Sequence, residues 1–139
     1  MIVDNVNNEI NAVAMAPTTL EIQGGRLVYV SGTQLNVGAG KFRSSDDTED
    51  IVCSAGSVST GSSGIGGFEG TLSSSIPVFI FAALNPVTRS TGYFMSNSQS
   101  PTPPSGYTKI RRIGSWYRSG TSLAWMLQEG SGSLRSYSI

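Results

Sequence analysis

Histidine is absent from this chain. That absence removes the Ser-His-Asp triad, the Cys-His pair and the commonest zinc ligand together. Cysteine occurs once, at Cys53, so no disulfide can form within the chain. In Ile51-Val52-Cys53 it reads as a small buried apolar residue. Charge is scarce and balanced, at 13% of residues with a formal net charge of +0. A general nucleic-acid binder would be basic, so that class is disfavoured. The same balance favours association over a freely soluble monomer, because few surface charges keep copies apart. No apolar run approaches the ~20 residues of a membrane helix, and the N-terminus does not resemble a signal peptide. The expectation is synthesis in a cytoplasm, followed by a soluble life or incorporation into something larger.

What is present points to strands. A length of 139 residues suits one domain with a real core, and a hydrophobic content of 38% argues against disorder. The run Ile76-Pro-Val-Phe-Ile-Phe-Ala-Ala-Leu84 is apolar on every residue from Val78 onward. A strand with one dry face is apolar on alternate residues, so this one reads as a central strand buried on both sides. Its Pro at the start and its β-branched and aromatic content argue against a helix. Phe79 and Phe81 are expected on opposite faces of it.

Residues 1–19 differ from the rest. They are rich in Asn and end near Pro17, with Ile2, Val6, Ile10 and Val13 at spacings compatible with one helical face. They read as an arm, extended or weakly helical, whose order would come from docking on a neighbouring chain. Residues 20–139 read as one domain of roughly eight to ten short strands. Turns are expected at Gly24-Gly25, Ser31-Gly32, Asn85-Pro86 and Gly130-Ser-Gly132, and a strand end at Gly38-Ala39-Gly40. Ser54 to Ser75 reads as a long ordered loop pinned by Phe68, with a short strand near Phe68–Leu72. In the last strands Leu123, Trp125 and Leu127 are expected on one face. The fold class is all-β, an antiparallel sandwich of jelly-roll type with an N-terminal arm.

In Ile110-Arg-Arg-Ile113 the isoleucines stand three apart, which strict alternation puts on opposite faces. A β-bulge at Arg111-Arg112 would return both to the core; the alternative is a strand buried on two faces whose Arg side chains snorkel. Gly38-Ala-Gly-Lys41 fails as a phosphate loop, since Leu35 and Phe42 stand where Gly and Ser or Thr are required. Asp46-Asp-Thr-Glu-Asp50 concentrates carboxylates. It lacks the spaced ligands and central Gly of a calcium loop and reads as a solvated turn. Glu21, Glu69 and Glu129 have no spacing that pairs them for glycoside hydrolysis. Tyr107, Lys109, Arg111, Arg112, Trp116, Tyr117 and Arg118 mix aromatics and cations. Three readings stand: core aromatics with surface cations, a subunit interface, or a sugar site.

The segment Pro103-Pro-Ser-Gly-Tyr-Thr-Lys-Ile-Arg-Arg-Ile-Gly-Ser115 resembles one that recurs in structural proteins of tailed bacteriophages. Gln34-Leu-Asn-Val-Gly-Ala-Gly-Lys-Phe-Arg-Ser44 with its acidic loop is similar to that family too, and the likeness runs from Leu20 to Trp125. The resemblance implies a virion part of trimeric β-sandwich type, with no catalytic residue, metal or cofactor. The chain is short and has no stalk repeat, which favours a capsid decoration (cement) protein, bound to the major capsid protein, over a tail fibre. The alternative is a tail-fibre or tail-tip module that recognises host surface glycans. The expected contact residues are Ile2, Val6, Ile10 and Val13 of the arm, with Arg111, Arg112, Trp116, Tyr117 and Arg118. Neither nucleic acid nor membrane is expected as a partner.

Overall fold

The computed structural model describes residues 21–131 and 134–138, with side chains described for 21–128. The arm, including Ile2, Val6, Ile10 and Val13, lies outside the described residues. Among them the chain forms thirteen strands and no helix.

The first six strands are β1 Ile22–Gly24, β2 Leu27–Tyr29, β3 Gln34–Val37, β4 Gly40–Arg43, β5 Asp50–Cys53 and β6 Gly56–Ser59. They pair antiparallel as β1-β4-β5 and β2-β3-β6. Since β1 runs on into β2, β3 into β4 and β5 into β6, the two triplets are halves of one bent meander. Gly38 N donates to Arg26 O and Gly25 N to Ala39 O, which carries the ladder through the bend. Glycine makes the bend possible. Gly24 and Gly25 adopt φ of 79° and 71°, and a Cβ on Gly40 would lie 2.5 Å from Gln23 O. The glycines read above as a turn and a strand end are therefore corners in continuing strands. Glycine signals an abrupt change of backbone direction, whether the chain reverses or only bends.

The remaining strands are β7 Phe68–Glu69, β8 Ile76–Leu84, β9 Thr91–Ser96, β10 Lys109–Ser119, β11 Ser122–Leu123, β12 Leu127–Ser131 and β13 Leu134–Ser138. Five of them form a sheet in the order β11-β10-β8-β9-β7, antiparallel except where β7 joins β9 in parallel. β12 and β13 pair with each other. The apolar run thus forms a central strand, as its composition requires.

Both faces of β8 are dry, by alternation. Val78, Ile80, Ala82 and Leu84 enter the main core, where Leu27, Leu35, Val37, Phe42, Ile51 and Val58 of the bent meander meet them. Tyr93 ties the meander to the five-stranded sheet: its ring meets Phe42 edge-on, with centroids 6.1 Å apart, and its hydroxyl donates to Gly38 O at 2.7 Å. On the reverse face Phe81, Ala83 and Phe94 form a second cluster, with Phe79, Tyr107 and Ile110 packed against it. Phe79 and Phe81 therefore share a face, against expectation, because residues two apart on a strand point the same way. Phe81 is buried at the centre and Phe79 only half-buried. Phe68 is buried, as expected, but the stretch read as a long loop over residues 54–75 also contains β6 Gly56–Ser59, paired with β3, because Val58 is apolar enough to enter the core.

Candidate functional site

The candidate residues of the aromatic and cationic cluster lie on or beside β10. Its first half pairs Ile110 with Ala83 and Arg112 with Phe81; its second pairs Gly114 with Ile80 and Trp116 with Val78. Ile113 has no partner, so the bulge sits there and not at Arg111-Arg112. The extra residue reverses the phase of alternation. Ile113 and Trp116, three apart, both enter the main core, while Ile110 stays with the reverse cluster. The bulge thus joins Ile113 to Trp116 on one face and leaves Ile110 on the other.

The strand then distributes its polar side chains. Arg111 is half-buried, donating from Nε to Arg43 O at 2.6 Å and from Nη2 to Ser44 O at 3.1 Å. Trp116 is 2% exposed, with Nε1 donating to Ala124 O at 2.8 Å. Arg118 is buried and bonds only backbone carbonyls, those of Ser73, Gly120 and Thr121. These three side chains are engaged within the fold. Arg112 and Tyr117 remain on the surface. The Arg112 guanidinium lies 5.5 Å from the centroid of the Phe79 ring and donates to Gln99 at 3.2 Å. Tyr117 is 41% exposed.

A second concentration of chemistry lies where the β4–β5 turn meets the start of β10. Ser44 is fully buried. Its hydroxyl donates to Asp46 Oδ1 at 2.7 Å and accepts from Thr48 N and Glu49 N. Asp46 takes Lys109 Nζ at 2.7 Å, Asp47 takes Arg43 Nε at 2.8 Å, and Asp50 takes Arg43 Nη1 at 3.1 Å. Glu49 meets Arg89 at 3.4 Å and Glu21 meets Arg111 at 3.6 Å. Every carboxylate whose side chain is described, except Glu69, belongs to this network. It borders a polar cleft of about 620 Å³ lined by Glu21, Lys41, Arg43, Ser45, Asp47, Asp50 and Arg111. The acidic run is therefore bound up with cations of this chain, and among the described residues no group of carboxylates is arranged to hold a metal ion. Its partners Arg89 and Lys109 stand 40 and 63 residues away in sequence, which is why no local pattern revealed them.

Lys109, with help from the Thr48 and Ser44 hydroxyls, holds the Asp46 carboxyl well below the usual carboxylate range. A depressed carboxylate stabilises the fold fully above its unfolded pKa and loses that contribution as pH falls through the folded one. Asp46→Asn is therefore expected to lower the melting temperature at neutral pH. The gap to the unsubstituted chain should shrink steadily below the ordinary value of 3.8. Melting curves at several pH values check this, and a gap independent of pH would contradict it.

The other candidates are occupied or apart. Glu69 accepts from Gly64 N, and Glu21 lies at the polar cleft. Cys53 is buried, and burial pushes its thiol pKa up, so it is a poor nucleophile. No family model matches the chain, and no match is found among curated proteins or among solved structures.

Proposed function

We propose that the chain is a non-enzymatic structural protein of a tailed-phage virion, a capsid decoration protein that trimerises and binds the major capsid protein. The observation that supports this reading is the segment Pro103–Ser115. The residues that carry the phage resemblance form one structural unit. Tyr107 N closes a turn on Pro104 O at 3.0 Å. Gly106 holds φ at 86° against Asn85, where a Cβ would come within 2.7 Å of the amide nitrogen. Arg111 clamps the acidic turn, and Ile113 supplies the bulge. In this reading the bent meander and the five-stranded sheet are the two layers of a jelly-roll-type sandwich. The protein is assembled in the host cytoplasm and resides on the virion.

Quantitative mass spectrometry of purified particles from cells that encode the chain tests it. Hundreds of copies per particle are expected. A few to a few dozen would favour the second reading, a receptor-binding tail tip. That reading draws on Arg112 and Tyr117, a guanidinium and an exposed aromatic on one sheet face, which suit glycan hydroxyls and a sugar ring. Absence from particles would overturn both.

The arm is the proposed anchor. Burying Ile2, Val6, Ile10 and Val13 at ~1.5–3 kcal/mol each offsets much of the ordering entropy on docking, and several arms in one trimer act together. Deleting residues 1–19 is expected to leave a folded domain that no longer sediments with particles stripped of the protein. Saturation of particles by the truncated chain at unchanged concentration would move attachment to the domain, with Arg112 and Tyr117 next to test.

A further inference from the structure

Between β11 and β12 the chain does not continue the strand. Leu123 is buried, whereas Trp125 and Leu127 are 60% and 41% exposed. The three do not share a face, because residues 124–126 leave the strand and the phase of alternation is lost there. The segment instead lies beside β2. Leu123 N donates to Gly32 O at 2.7 Å, and Leu27 N donates to Gln128 Oε1 at 2.9 Å. These two bonds run 123–128 antiparallel to 27–32, which sets Trp125 alongside Val30 and Leu127 alongside Val28. Val28 and Val30 are 47% and 45% exposed. Leu27, Tyr29, Met126 and Gln128 point the other way, into or against the core. Four large apolar side chains from two stretches of sequence thus form one exposed patch. Arg26 stands at its margin, tied to Gln128 O at 3.3 Å.

We propose that this patch is the contact between copies of this chain. The inference deepens the oligomeric part of the reading above and rests on it. Two observations select a second copy as the occupant. The chain carries a formal net charge of +0 with only 13% charged residues, so copies do not repel one another. The patch holds no charge of its own and centres on a tryptophan, the residue most enriched among binding hot spots.

The patch supplies its own spectroscopic reporter. The chain has two tryptophans; Trp116 is 2% exposed and Trp125 60% exposed, so a neighbour seated on the patch changes the surroundings of Trp125. Light scattering and tryptophan emission across a concentration series are the measurements, on the full chain, on Trp125→Ser and on Val28→Lys. Val87→Ser is the control, since Val87 is 88% exposed on the β8–β9 turn and belongs to no patch. The unsubstituted chain is expected to reach a multiple of 14.6 kDa, with emission shifting to the blue as it associates. Both patch variants should need at least about tenfold more protein to associate, as loss of a hot spot does. The control should match the unsubstituted chain. If both patch variants associate as the unsubstituted chain does, the contact lies elsewhere and the proposal fails while the virion reading stands. If the unsubstituted chain is a monomer at every concentration, with unshifted emission, the patch and the trimer fall together. A blue shift produced by free sugars without any gain in mass would equally overturn it, in favour of a glycan occupant. Particle copy number tests the virion reading independently in every case.

Discussion

Phe81→Ala is expected to destabilise the domain by ~3–5 kcal/mol, the range for emptying a buried aromatic site. Phe81 is 2% exposed and stacks on Phe94 with ring centroids 5.1 Å apart and planes 12° from parallel. The reverse cluster is small, with Ala83 as the third fully buried member. Most of its neighbours, Ala83, Phe94 and Ile110 among them, stand on hydrogen-bonded strands, so collapse into the space is resisted and the cost stays high. Phe79→Ala is the comparison. Phe79 lies two residues away on the same face but is half-buried, so its loss should cost much less, apart from the contact with Arg112. Denaturant titrations of the two variants measure the difference. Equal costs would mean that the reverse face is covered along its whole length.

Trp116→Ala should have an effect of similar size, ~3–5 kcal/mol. The indole fills the main core opposite Val78 and donates to Ala124 O. Removing it opens a large cavity and takes away the donor to a half-buried carbonyl. Trp125→Ala should stay within ~0.5 kcal/mol, as exposed substitutions do. The pair separates two meanings of an aromatic in this region. A Trp116 variant that lost partner binding would lose it by unfolding, with its near-ultraviolet circular dichroism collapsing in step. A Trp125 variant would keep its dichroism and lose only association. Equal destabilisation by the two would contradict the placement of Trp125 at the surface.

The contrast between these tryptophans shows what the residues alone determine. Composition and alternation were enough to make the chain all-β, and to place Val78–Leu84 as a central strand buried on both faces. A run apolar at every position can be satisfied in few other ways. Phe68 as the pin of the glycine-rich loop was legible because it is a large apolar side chain among small ones, and Cys53 as a buried thiol because it follows Ile51 and Val52 in a short apolar run. The candidate contacts were less so. Alternation fixes faces only up to a phase, and one extra residue or one break in a strand reverses it. The bulge at Ile113 sends Trp116 inward; the break at Ala124 sends Trp125 outward. Where those shifts fall depends on register with β8 and β2, set by residues far away in sequence. The same holds for the acidic turn, whose carboxylates find Arg89 and Lys109 only once β9 and β10 are in place. Glycine corners likewise announced a change of direction, but whether the chain reversed or bent was decided by the ladder of its neighbours. Short-range pattern fixes which residues must leave water; only the tertiary register decides which side of the sheet receives them.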